Sequence, residues 1–84
     1  MTARTVVTVF TRPGCQPCAA TKRDLRRLAI PFTEEPITEG QAAAARDLGI
    51  TEAPIVCAST EHRGEEMWGG YRPDRISKLV HPVE

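Results

Sequence analysis

Two cysteines at close spacing, Cys15 and Cys18, are the residues of this sequence best suited to chemistry. On the first turn of a helix, the chain folds the fourth residue back towards the first, which brings the two sulfurs within bonding distance. The partial positive charge at the start of a helix favours a thiolate on Cys15, and the backbone N–H groups of the first turn can solvate it. Arg12 adds a permanent cation upstream, as a supporting group for that thiolate.

The two cysteines are not expected to be equivalent. Cys18 lies one turn further along the predicted helix, on the same stripe as Leu25 and Leu28, and that stripe should face the core. Cys18 should therefore be less exposed and more often protonated than Cys15. We expect Cys15 to attack a disulfide of a partner and Cys18 to resolve the mixed disulfide that results.

Other interpretations of the pair are half of a structural zinc site, or two structural cysteines that happen to be close. A zinc site needs two more ligands at close spacing, and Cys57, His62 and His81 form no second C-x-x-C or H-x-x-H unit. Redox chemistry is favoured because C-x-x-C beside a strand–helix–strand pattern is a specific combination, so we predict no metal. Cys57 is expected to pack inside the fold, and the two histidines to be solvated.

Length and composition narrow the class of protein. The 84 residues fit one small domain covering residues 1–84. Lys plus Arg and Asp plus Glu total 11 each, and this zero net charge argues against a nucleic-acid binder that works by bulk electrostatics. No apolar run approaches the ~20 residues that span a bilayer, and no signal peptide is visible. Because one of the three cysteines has no intramolecular partner to pair with, a secreted disulfide scaffold is disfavoured and a reducing cytoplasm fits best.

The predicted elements place the cysteine pair where a strand ends and a helix begins. The residue pattern predicts strands over 5–11, 32–37, 54–58 and 65–68. It predicts that the turn at Cys15–Cys18 leads into a helix over 19–29. Two more helices are predicted over 39–48 and 75–81, with Thr38 and Asp74 as their caps. The first strand is apolar or β-branched throughout and is predicted to be buried on both faces. The order β-α-β-α-β-β-α predicts an α/β fold, a four-stranded mixed sheet flanked by three helices.

The Ala53-Pro54 bond is a second specific signal. In this architecture, a proline that opens the third strand would face the redox helix. A cis bond there would turn the Ala53 backbone outward, free to pair with an extended substrate segment beside Cys15. We therefore expect a cis bond at this position.

Three motifs together resemble the NrdH-type redoxins, a glutaredoxin-like group of the thioredoxin superfamily. They are Cys15-Gln-Pro-Cys18 after a strand, Ala53-Pro54 at the start of the third strand, and Trp68-Gly-Gly-Tyr-Arg-Pro-Asp-Arg-Ile76 near the end. The third motif is the specific part, and the resemblance covers the chain from about Thr5 to Val80. It implies a thioredoxin-like or glutaredoxin fold. Two pairs depart from the common pattern of this family: Pro36-Ile37 stands where Asp-Ile is common, and Gln16-Pro17 stands where Val-Gln is common.

The resemblance also implies a function. Such a protein is a dithiol electron carrier that receives electrons from NADPH through thioredoxin reductase and delivers them to the large subunit of class Ib ribonucleotide reductase, with no prosthetic cofactor. It implies Cys15 as the attacking thiol, Cys18 as the resolving thiol and Pro54 as a cis proline. An apolar docking surface is expected near the redox site, with Pro17, Trp68, Gly69 and Tyr71 as its residues; core packing of Trp68 and Tyr71 is the alternative. We expect the carrier to act as a monomer, without nucleic acid or membrane.

A glutathione- or mycothiol-coupled glutaredoxin is the nearest alternative. Glutaredoxins hold the carboxylate of glutathione with the residues that follow their glycine pair, and here that segment is Gly70-Tyr71-Arg72-Pro73-Asp74. Pro73 has no N–H to offer an anion, which disfavours this alternative. Arg72 is expected to have a structural role, for which a pair with Asp74 is one possibility. A binding module whose cysteines hold a metal or form a passive switch is the alternative from a different class.

Overall fold

Four strands and three helices make up the fold in the computed structural model, which describes residues 5–61 and 63–80. The strands are β1 (Thr5–Thr11), β2 (Thr33–Pro36), β3 (Ile55–Thr60) and β4 (Gly64–Gly69). The helices are α1 (Gln16–Arg27), α2 (Glu39–Asp47) and α3 (Pro73–Lys78). The predicted order of elements is therefore confirmed. The predictions for His62 and His81 lie outside the described residues.

The sheet is mixed, with the strand order β2-β1-β3-β4. Strands β1 and β2 are parallel, with Val9 opposite Glu34, and α1 connects them. Strands β1 and β3 are antiparallel, with Val9 opposite Val56, and β4 continues the antiparallel pairing with Trp68 opposite Val56. This is the predicted four-stranded α/β architecture, and it places the end of β1 beside the start of α1.

The core lies between one face of the sheet and the helices α1 and α3. The core residues from the strands are Val7, Val9, Val56, Ala58 and Trp68, and those from the helices and the segments after them are Leu25, Ile30, Ile76 and Leu79. Leu25 is completely buried in this cluster. Truncation of such a residue to alanine costs roughly 2–5 kcal/mol of stability. Burial of this stripe fixes α1, and with it the cysteine pair, against the sheet.

The prediction that β1 is buried on both faces is wrong. Val7 and Val9 are buried, whereas Val6, on the other face, is 65% exposed. Alternate residues of a strand point to opposite faces, and α2 covers only part of the second face, where Ala45 lies beside Ile55. The second face is therefore open where Val6 lies. Within the described residues, no helix combines the length and the apolar character needed to cross a membrane.

Helix α2 begins as predicted and α3 does not. The Thr38 hydroxyl accepts a hydrogen bond from the Gln41 N–H at 3.2 Å, and the Gln41 side chain accepts one from the Thr38 N–H at 3.0 Å, which completes a capping box. The cap of α3 is Arg72 rather than the predicted Asp74, because Pro73 already has the backbone angle of a first helical residue. Asp74 lies in the first turn and pairs with Arg72 at 2.9 Å.

Helices α1 and α2 end in the same backbone motif with different residues at its left-handed position. After α1, the Ile30 N–H donates to the Leu25 carbonyl at 2.9 Å around Ala29, whose φ is 59°. After α2, the Ile50 N–H donates to the Ala45 carbonyl at 2.8 Å around Gly49, whose φ is 82°. This Schellman motif ends α1 at Arg27, earlier than the predicted residue 29. The left-handed conformation is sterically unfavourable for Ala29, which has a Cβ atom, but not for Gly49.

We predict opposite effects of exchanging alanine and glycine at these two positions. Ala29→Gly should raise the free energy of unfolding by about 0.5–1 kcal/mol, since glycine adopts positive φ without a Cβ clash. Gly49→Ala should lower it by a similar amount, because its Cβ would have open space but an unfavourable φ. Urea unfolding of both variants measures the changes, and effects of the same sign would contradict the assignment of the motif.

Candidate active site

Cys15 and Cys18 form a disulfide at the start of α1. Strand β1 ends at Thr11, Gly14 turns the chain with a φ of 69°, and Cys15 is the N-cap of the helix. The two Cα atoms are 5.2 Å apart. The backbone N–H of Cys18 donates a hydrogen bond to the Cys15 sulfur at 3.1 Å. The predicted contact between the first helical turn and this sulfur is therefore present.

The two sulfurs of the pair differ in access to solvent. Cys15 is half-buried, whereas Cys18 is 3% exposed and faces the core. Pro17 occupies the first turn between them, where its missing N–H leaves no helical hydrogen bond unmade. This geometry lets a partner reach Cys15 first, while Cys18 is held behind it within bonding distance.

A polar groove lies on the β2 side of the disulfide. It has a volume of about 890 Å³, and its lining includes Arg12, Cys15, Lys22 and Glu34. Glu34 accepts hydrogen bonds at 2.9 Å from both Lys22 and Thr11, and these two donors, Lys22 first, lower its pKa. Arg12 is exposed and lines this groove together with Cys15.

The Ala53-Pro54 bond, the second sequence signal, lies where the segment before β3 meets the segment after β4. The Ala53-Pro54 peptide bond is cis, and Pro54 is fully buried. The Pro54 carbonyl accepts a hydrogen bond from the Gly70 N–H at 2.9 Å. This bond ties the start of β3 to the glycine pair that follows β4.

Gly69 has a packing reason to be glycine. A Cβ at Gly69 would lie 2.8 Å from the carbonyl oxygen of Glu52, closer than such atoms can approach. Gly70 has a φ of 80°, in the region that favours glycine. The pair lets the backbone after β4 pass close to the loop before β3 and turn towards α1, where Tyr71 follows.

Tyr71 reaches the redox helix. Its hydroxyl donates a short hydrogen bond to Oδ2 of Asp24 in α1. Its ring lines a second groove, here called the Tyr71 groove, which has a volume of about 500 Å³ and is lined by Gln16, Pro17, Ala19, Ala20, Arg23 and Tyr71. Pro17 and Tyr71, both expected in a docking surface, therefore lie together in a groove that adjoins the polar groove at Gln16 and Ala19.

The sequence profile of glutaredoxins matches residues 7–62 of this chain. The chain belongs to the glutaredoxin family. Its curated relatives include the glutaredoxin-like protein NrdH of Escherichia coli K12, which is 35% identical over 80 residues, spanning 92% of this chain and 90% of that protein. The chain is thus an NrdH-type glutaredoxin, and its C-x-x-C pair makes it a thiol–disulfide oxidoreductase.

Solved structures agree with this assignment. NrdH-redoxin from Escherichia coli matches with a TM-score of 0.75 and 32% identity, over 94% of this chain and 99% of that one. Mitochondrial thioredoxin 3 of Saccharomyces cerevisiae, in its oxidised form, matches with a TM-score of 0.61 and 20% identity, over 90% of this chain and 76% of that one. The thioredoxin-like fold implied by the resemblance is therefore confirmed.

One expected docking residue of this NrdH-type glutaredoxin lies elsewhere. Trp68 is 3% exposed and packs in the core, so its side chain is not part of an exposed docking surface. Trp68 lies opposite Val56 on the core face of the sheet, and the Arg75 guanidinium lies 5.6 Å from the centre of its ring. The aromatic residue at this position of β4 fills space between the sheet and α3, which is the core-packing alternative.

Cys57 is only half-buried, less than the burial expected of a cysteine that packs inside the fold. It lies on the open face of the sheet, where Thr8 and Met67 are its neighbours on the adjacent strands. Burial, followed by the charge of Glu65, raises the pKa of the Cys57 thiol. Across the part of the chain that the structure describes, no three His, Cys, Asp or Glu side chains are placed to hold a metal ion.

Sequence reasoning missed Asp24, a carboxylate that is only 4% exposed. The Tyr71 hydrogen bond lowers its pKa most, burial opposes this, and the charges of Arg27 and Arg23 lower it further. The sequence does indicate that Asp24 is buried, because residues 21, 24, 25 and 28 recur at helical spacing on the core side of α1. A buried carboxylate needs a hydrogen-bond partner. That partner is distant in sequence, so the pattern alone does not identify it.

We predict that Tyr71→Phe destabilises the protein in a pH-dependent way. Because the folded pKa of Asp24 is depressed, its stabilisation is present above the unfolded pKa and is lost as pH falls through the folded one. Tyr71→Phe should therefore lower the urea midpoint of unfolding at neutral pH, and the difference from wild type should shrink in acid. A difference that stays constant across this range would contradict the role of ionised Asp24.

Proposed function

We propose that this protein carries electrons from thioredoxin reductase to the large subunit of class Ib ribonucleotide reductase. The observation that carries the proposal is the cysteine pair itself, with Cys15 accessible at the helix start and Cys18 buried one turn behind it. The redox group is this pair, and its electrons come from NADPH through the reductase. The protein acts as a monomer in the cytoplasm.

The reaction follows from the two positions of the sulfurs. In the reduced protein, the Cys15 thiolate attacks one sulfur of the partner disulfide, and the other partner sulfur leaves as a thiolate that takes up a proton. Cys18 then loses its proton and attacks the Cys15 sulfur, which releases the second partner thiolate. Two electrons pass to the partner, and the Cys15–Cys18 disulfide forms.

Two observations support a protein partner over glutathione. The Arg72 guanidinium is held by both oxygens of Asp74, at 3.2 and 2.9 Å, so it is already neutralised. Residue 73 is proline and offers no N–H to a small carboxylate. The relative from Escherichia coli is described as a glutaredoxin-like protein with a thioredoxin-like activity profile, and we extend that profile to this chain.

The use of glutathione or mycothiol is the second candidate function. The match to the glutaredoxin profile favours it, as does the polar groove beside Cys15, in which exposed Arg12 offers a cation to an anionic thiol compound. The protein would then reduce small mixed disulfides rather than protein disulfides. The two candidates differ in the enzyme that reduces the Cys15–Cys18 disulfide.

The two candidate functions are distinguished by a comparison of two reductases. We expect the oxidised protein to support NADPH oxidation with thioredoxin reductase and a protein disulfide. The rate with glutathione and glutathione reductase should stay near that of Cys15→Ser, which lacks the attacking sulfur, and Cys57→Ser should behave as wild type in both systems. Turnover confined to the glutathione system would contradict the proposal and establish the alternative.

A further inference from the structure

The exposed side of α1 carries more positive charge than its surroundings neutralise. Lys22 is paired with Glu34 at 2.9 Å. Arg23 and Arg27 both approach the same oxygen, Oδ1 of Asp24, at 3.6 and 3.5 Å, longer than a good hydrogen bond. Two guanidinium groups therefore share one carboxylate.

The other oxygen of the Asp24 carboxylate also has a hydrogen-bond partner. Oδ2 of Asp24 accepts the Tyr71 hydroxyl, and the whole side chain is buried. The side chains of Arg23 and Arg27 are 67% and 63% exposed, so their charges face solvent. The single charge of Asp24 thus lies near both arginines, which leaves a net positive charge at the surface.

These arginines extend the Tyr71 groove away from the disulfide. The groove begins at Gln16 and Pro17, between the two cysteines, and reaches Arg23. Arg27 lies one turn further along the same side of the helix. From Cys15 to Arg27 the helix rises about 18 Å, which is the length of about five or six residues of extended chain.

We propose that the Tyr71 groove and Arg27 together bind an acidic stretch of polypeptide that adjoins the disulfide of the partner. Close to the disulfide, Pro17, Ala20 and the Tyr71 ring offer apolar contact to a residue next to the partner cysteine. Carboxylates about three to six residues from that cysteine would meet the guanidinium groups of Arg23 and Arg27. The proposal rests on the proposed function, because it requires a protein disulfide as substrate.

The charge pattern favours a polypeptide over a nucleic acid as the occupant. The whole chain has zero net charge, and Arg23 and Arg27 lie along the one helix that starts at the reactive disulfide. A polypeptide can place a disulfide beside Cys15 at one end of the groove and carboxylates beside Arg23 and Arg27 at the other end. Bringing that segment close would raise the rate of encounter between Cys15 and the partner sulfur.

The test uses two synthetic peptides, each closed by one disulfide. One has aspartates three to six residues from a cysteine, and the other has asparagines at the same positions. We expect the reduced protein to react with the acidic peptide about tenfold faster at low salt, and the advantage to fall as ionic strength rises. Stopped-flow tryptophan fluorescence or release of peptide thiols measures both rates.

Charge-reversal variants test whether the faster reaction with the acidic peptide depends on Arg23 and Arg27. Arg23→Glu and, separately, Arg27→Glu should abolish or invert the preference for the acidic peptide. Arg46→Glu makes the same change of charge on α2, which lies beside Ile55 on the other face of the sheet from the α1 residue Leu25, and should keep the wild-type preference. Equal rates for the two peptides with wild type, or equal effects of Arg23→Glu and Arg46→Glu, would overturn the docking proposal alone. Failure of wild type to reduce either peptide would overturn the proposed function as well.

Discussion

The hydrogen bond from the backbone N–H of Cys18 to the sulfur of Cys15 is the contact around which the site is arranged. A helix begins with N–H groups that have no partner within the helix, and here one of them meets the atom that must carry negative charge. The bond exists because Cys15 is the N-cap itself, with extended backbone angles, while Cys18 already lies inside the helix. A backbone N–H and the helix start are groups that favour the anionic form of a sulfur placed in this way.

The rest of the fold keeps that helix end in place. Leu25 and Ile30 hold α1 to the sheet, and the end of β1 delivers Cys15 to the surface. A second anchor comes from the far end of the chain, where the glycine pair turns Tyr71 back to Asp24. The same carboxylate that anchors Tyr71 also lies near two arginines. One buried acid therefore links the shape of the groove beside the disulfide to its charge.

Local patterns predicted much of this arrangement. The order of elements, the Thr38 cap and the place of the cysteine pair follow from short stretches of sequence, whereas the cis bond before Pro54 could be predicted only once the fold had been inferred. The failures depend on packing between distant segments. Exposure of Val6 depends on where α2 crosses the sheet, and burial of Trp68 depends on α3 covering β4. The Asp24–Tyr71 bond joins residues 47 apart, a distance over which periodicity carries no signal.

Titration of the Cys15 thiolate tests the central claim most directly. In the reduced Cys18→Ser/Cys57→Ser variant, Cys15 is the only thiol, so absorbance near 240 nm follows its ionisation alone as pH is raised. An unperturbed thiol is half-ionised near pH ~8.5, and a thiol at a helix start typically between about 3.5 and 7.5. We predict a midpoint within this lower range. A midpoint at or above that of an unperturbed thiol would contradict the account, because the helix end would then give the sulfur no stabilisation.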